Sequence, residues 1–110
     1  MICSLGDVIV VPFPFVDSSA AKRRPSVVLS AKAFNESNSH SICAMITTAS
    51  RTNWPNDISI TDLDTAGLQR SCVVRFKLFT LPNAIILKRI GALGDEDRSK
   101  IVAATHAIMS

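Results

Sequence analysis

Apolar residues along this chain come in short runs, and most of the runs are rich in β-branched residues. "DVIVVPF" (7–13), "PSVVLS" (25–30), "SICAMITT" (41–48), "DISI" (57–60), "SCVVRF" (71–76) and "AIILKRIGAL" (84–93) each predict a strand. Turn-forming stretches separate them: "VDSSAAK", "NESNSH", "NWPN", "DLDTAG" and "LPN". Short strands at this spacing predict a small barrel or sandwich. The end of the chain changes period. In "GDEDRSKIVAATHAIMS", Ile101, Ala104, Thr105 and Ile108 recur at helical spacing, which predicts a helix over about 95–109. Gly94 or Asp95 can cap it. Asp95, Glu96 and Asp97 then lie at the positive end of the helix dipole, so this acidic cluster needs no metal to explain it.

At 110 residues the chain fits one domain, 1–110, long enough to bury a core of its own. Hydrophobic residues make up 47%, which excludes a disordered polar chain. The N-terminus lacks the basic opening of a signal peptide, and Asp7, Pro12 and Pro14 interrupt its apolar run. No stretch approaches the roughly 20 apolar residues of a membrane span. A cytoplasmic protein with no membrane partner is the expectation. Cys3, Cys43 and Cys72 are an odd number at wide spacing, and the two histidines form no cluster with them. No disulfide framework, metal or other cofactor is expected. Cys43 and Cys72 fall in apolar runs and read as small core residues.

Charge changes the picture more than composition does. The net charge is only +3, yet residues 18–35 hold four cations (Lys22, Arg23, Arg24, Lys32) and no acid. Residues 65–94 hold five (Arg70, Arg75, Lys77, Lys88, Arg89), again with no acid. Two such stretches can fold into one basic face, the footprint of a polyanionic partner. In "KRRPSVVLS", Pro25 forces Arg24 into an extended conformation at the base of a strand, with Lys22 and Arg23 on the loop before it. A fixed guanidinium suits a phosphate, although taken alone the segment reads first as an edge-strand arginine that blocks aggregation. "AMITTAS" ends a strand with two hydroxyls, Thr47 and Thr48, which alternation sends to opposite faces. "VVRFKLFTLP" interleaves Arg75 and Lys77 with Phe76 and Phe79. That pattern suits single-stranded nucleic acid, and equally a strand with its rings turned inward. His40 opens a strand seven residues before Thr47, about 20 Å away, too far for a shared site. His106 falls near a helix end and reads as structural.

Taken together, these motifs resemble the MazF/PemK-like toxins of bacterial toxin–antitoxin systems. "GDVIVVPFPFVDSSAAKRRPSVVLS" is similar to that family's N-terminal signature, in which a variable loop precedes an arginine–proline pair and a strand. "AMITTAS" resembles its strand-then-threonine signature. "NWPNDISI", "VVRFKLFTL", "ILKRIGAL" and the closing helix follow in the family's order over nearly the whole chain. The resemblance implies a mainly β, compact SH3-like barrel with a C-terminal α-helix, usually a homodimer in the bacterial cytoplasm. It implies a metal-independent endoribonuclease that cleaves single-stranded RNA, including mRNA, at short motifs, held in check by a cognate antitoxin protein. The family's catalytic pair matches Arg24 and Thr47. Lys22, Arg23, Thr48, Arg75 and Lys77 would hold the rest of the RNA. The glutamate that some members carry before the arginine is absent from "SSAAK", and "RFK" lacks the aspartate of others, so Asp17 is the nearest carboxylate for an acid or base role. The same barrel hosts gyrase-binding toxins of the CcdB type, so a non-catalytic toxin or RNA-binding module is the alternative.

Overall fold

The computed structural model describes residues 1–13, 22–49 and 53–110. Six strands form one antiparallel sheet: β1 (Asp7–Phe13), β2 (Lys22–Val28), β3 (His40–Thr48), β4 (Ile58–Ser59), β5 (Cys72–Pro82) and β6 (Lys88–Ala92). Their order across the sheet is β4-β5-β3-β2-β1-β6. The sheet curls into a half-barrel, and a C-terminal helix, α3 (Asp95–Met109), accompanies it. This is the mainly β architecture with a closing helix that the apolar runs predict. Strand alternation sorts the core into two clusters. Val8, Val27, Ala44, Ile46 and Val74 belong to one, together with Ile101 of α3. Ile9, Val11, Val28, Cys43 and Leu81 belong to the other. Cys3, Cys43 and Cys72 are all buried and unbonded to one another, as core thiols.

Several boundaries differ from the sequence expectation, each for a physical reason. Helix α1 (Lys32–Asn38) occupies part of what reads as a turn. Its one buried side chain is Asn35, so no apolar stripe announces it. The Asn35 amide donates to the carbonyls of Cys3 (2.9 Å) and Ser30 (3.1 Å), and its oxygen accepts from the Ser30 hydroxyl. A buried amide is satisfied there by neighbours that periodicity does not reveal. A short helix, α2 (Leu63–Ala66), replaces the "DLDTAG" turn, with the Asp62 carboxylate accepting from Thr65 N at its start. β5 runs on to Pro82, and a 3₁₀ turn at Asn83–Ile85 shortens β6. Lys22 and Arg23 lie within β2, opposite Phe13 and Pro12 of β1, instead of on a loop. In α3, Gly94 is the N-cap and Asp97 and Ile101 face inward. Ile108 is exposed, because every residue from 106 onward lies past the core.

Candidate functional site

The site begins where β2 and β3 part. They pair at Val28–Cys43, Val27–Ala44 and Ser26–Met45, and the ladder stops there. Leu29 N donates to Ile42 O at 2.8 Å, so the odd-numbered residues of β2 direct their amides toward β3. Two steps and then four along the strand come Val27 and Pro25. Pro25 has no N–H, so it cannot continue the ladder to Ile46. The same register carried onward sets Arg24 opposite Thr47 and Arg23 opposite Thr48. No β2–β3 pairing extends to these residues, and cavities are lined by them. Pro25 both extends Arg24 and holds the gap.

Arg24 and Thr47 line one cavity of about 340 Å³ with Phe13, Lys77, Leu78 and Phe79. Lys77 reaches it through an irregularity in β5. Ala44 pairs with Leu78 but Met45 pairs with Arg75, so Phe76 and Lys77 are left out of the β3–β5 ladder. Such a bulge re-aims side chains. Lys77 Nζ lies 4.3 Å from the centre of the Trp54 ring, and the Arg75 guanidinium carbon 5.6 Å from it. Thr48, on the other face of β3, lines a second cavity of about 430 Å³ with Arg23, Arg24, Arg70 and Lys88. The two threonines therefore part as alternation predicts, but each borders a cavity. Arg24 borders both.

The remaining predicted residues separate cleanly. Arg75 is 7% exposed and holds Asp57, with Nη2 at 2.9 Å and Nε at 3.3 Å from the carboxylate. It is a structural cation tying the 53–57 turn to β5 rather than one presented to solvent. The Arg75 hydrogen bonds hold the Asp57 carboxyl below the usual carboxylate range, so Asp57 stays ionised and is a weak base. Lys22 is exposed and lines neither cavity. Phe76 packs on the first core cluster, whereas Phe79 packs on the second and also borders the Thr47 cavity. Asp17 lies outside the described residues. His40 is exposed at the far end of β3, its Nδ1 2.9 Å from Asn38 O. Burial pushes the Cys43 thiol up to about 12 and raises Cys3 and Cys72 as well, which leaves none of them a ready nucleophile. Among the described residues no three His, Cys, Asp or Glu side chains gather into a metal-binding group. Sequence reasoning missed Arg70, Lys88 and Phe13 as cavity residues. Their signal was present only as membership of the basic stretches and of an apolar strand.

A profile of the PemK-like, MazF-like toxins of type II toxin–antitoxin systems matches residues 4–109. The chain belongs to this family. Solved structures agree in fold. MazF in the MazE–MazF complex (Form-II) from Deinococcus radiodurans superposes with a TM-score of 0.74 at 12% identity, covering 100% of this chain and 97% of that one. The Mycobacterium tuberculosis toxin MazF-mt6 gives 0.72 at 19% identity, with 92% and 93% covered. A mycobacterial endoribonuclease in complex with its cognate antitoxin gives 0.72 at 16%, with 96% and 91% covered. No curated protein matches the chain in sequence. Within this MazF-like toxin, Arg24 and Thr47 both border the first cavity, and Pro25 borders the second. No helix among the described residues is long and apolar enough to cross a membrane.

Proposed function

We propose that this MazF-like toxin is a metal-independent endoribonuclease that cleaves single-stranded RNA at short sequence motifs. The observation that carries the reading is one cavity lined by both Arg24 and Thr47, just past the last paired residues of β2 and β3. RNA brings its own nucleophile. Its 2′-hydroxyl gives up a proton and attacks the adjacent phosphorus, the bond to the 5′-oxygen breaks, and that oxygen takes up a proton. The protein must align these atoms and stabilise the charge that builds on the phosphorane. Arg24 grips the scissile phosphate through its planar fork, and Thr47 donates its hydroxyl to a phosphate oxygen. Arg24 and Thr47 act there by stabilising charge, and Asp17 remains the nearest carboxylate in sequence for an acid or base role. Arginine, with a pKa above about 12, serves as stabiliser first and proton carrier second. Lys77 and Arg23 hold flanking phosphates.

An inhibitor is the natural partner of such an activity. An acidic segment that folds on binding would occupy the same groove near Arg24, with the toxin as a two-fold dimer. The deciding experiment incubates the purified protein with a long single-stranded RNA in EDTA. Discrete fragments are the expected result. Intact RNA with a gel shift identifies a binding module instead, and intact RNA with arrest of gyrase identifies a gyrase-binding toxin.

A further inference from the structure

The second cavity is as much a built site as the first. Arg23 and Arg24 come to it from β2, Arg70 from the turn after α2, and Lys88 from β6. Among the described residues no acid lines it, and none of the four cations has an ion-pair partner. Other cations of the same basic stretch are neutralised. Arg75 holds Asp57, and Arg89, one residue beyond Lys88, pairs with Asp7 at 3.0 Å. Among the described residues the nearby acids are paired elsewhere, and four cationic residues border one space. Four exposed cations around one space favour an anion there.

The position of Arg70 is enforced by backbone packing. Gly67 has φ +74°, and a Cβ there would lie 2.1 Å from Ile90 O. A Cβ on Gly91 would lie 2.5 Å from Thr65 O. Both glycines let α2 settle directly on β6, which brings residues 69 and 70 over the strand that carries Lys88. Half-buried Val10, Leu68 and Ile90 supply an apolar floor beneath the cations. At about 430 Å³ the space falls within the roughly 300–1,000 Å³ of small-ligand clefts.

Building on the ribonuclease reading above, we propose that this cavity is a second nucleotide subsite. It takes the nucleotide next to the scissile phosphate, with that nucleotide's outer phosphate on Arg70 and Lys88. Its base lies on the floor of Val10, Leu68 and Ile90, and the Gln69 amide is the neutral group placed to meet a base edge. Arg24, the wall common to both cavities, then grips the phosphate that joins the two nucleotides.

The test measures binding of a labelled 12-nucleotide single-stranded RNA to the Thr47→Ala protein over a range of salt. Arg70 and Lys88 are exposed, so Arg70→Ala/Lys88→Ala removes charge without emptying the core. The double variant should bind more weakly. The slope of log affinity against log salt should shrink by about 0.7 per lost contact, roughly 1.4 for the pair. Lys100→Ala, on α3, should leave both unchanged. An unaltered slope and affinity in the double variant overturns the subsite. So does failure of the parent to bind RNA, or a dependence on Arg70 and Lys88 seen with polyglutamate but not with RNA. If the unsubstituted protein cuts no RNA while binding still depends on Arg70 and Lys88, the ribonuclease reading falls and the subsite stands.

Discussion

Asp97 shows how a conspicuous acid becomes a structural one. It follows Asp95 and Glu96 in the first turn of α3, but it alone of the three is buried, at 1% exposure. Its carboxylate accepts from Thr61 N (2.9 Å), Thr61 Oγ1 (2.8 Å) and Asp62 N (3.0 Å), fastening the helix to the segment between β4 and α2. Asp97→Ala orphans these donors and should lower stability by about 3 kcal/mol in urea unfolding, at roughly 1 kcal/mol per lost bond. Asp57 makes a different prediction. Its folded pKa is lowered, first by the Arg75 side chain, so the pair stabilises the protein above the ordinary carboxylate pKa and loses that contribution as pH falls through the lowered folded value. Trp54 is the chain's one tryptophan and its ring lies against Arg75 and Lys77. Its fluorescence should change in a single acid transition below the ordinary carboxylate range, and Asp57→Asn should abolish that transition. For catalysis, Thr47→Ala should slow RNA cleavage by about 100-fold or more, the scale of one lost transition-state donor, and Arg24→Ala by at least as much. Circular dichroism should be unchanged in both. Full activity in the two variants would remove the catalytic assignment.

Strand pairing decides where the groove lies. β2 is bonded to β1 along its whole length but to β3 only from Ser26 onward. The missing donor of Pro25 is the simplest cause, since the next bond of the ladder is the one proline cannot make. Pro25→Val restores that donor. It should extend the β2–β3 ladder to Ile46, narrow the space between Arg24 and Thr47, and reduce cleavage without lowering the thermal midpoint. Slow hydrogen exchange at the new amide of residue 25 would report the added bond, and fast exchange there would refute the account. On the facing wall, the irregularity of β5 at Phe76 and Lys77 sends one side chain to the core and the other to the cavity, a division regular alternation also makes. What the irregularity adds is reach, bringing Lys77 onto Trp54 as well.

Across the molecule, the curl of the sheet gathers charges that are far apart in sequence. Arg23 and Arg24 of the first basic stretch meet Arg70 and Lys88 of the second at one cavity. Arg75 and Arg89, from the same second stretch, are taken up by Asp57 and Asp7. A net charge of +3 therefore understates the local field. A polyanion that binds here should be steered by that field and weakened by salt. Reversing the charges of Lys22 and Arg23 to glutamate should weaken both RNA binding and inhibition by the antitoxin, most at low ionic strength. An antitoxin whose affinity is untouched by the reversal at low salt docks away from the groove.

Short β-branched apolar runs and the change of period at residue 95 were sufficient to foresee six strands and the final helix, though not the bounds of β2, β5 and β6, because strand and helix periods are local while strand ends depend on pairing partners. The ordered signatures around Arg24 and Thr47 also pointed to the family. α1 was illegible, since its inward residue is an asparagine whose partners, Cys3 and Ser30, lie outside the helix. The separate fates of Arg75 and Lys77 were equally hidden. Two cations two residues apart look alike in a strand until a distant carboxylate, here Asp57, neutralises one of them. The second cavity depends on residues from five strands and the turn after α2, and on two glycines that let α2 touch β6. Long-range approach of this kind follows from how the sheet curls and what packs on it, and no local pattern encodes it.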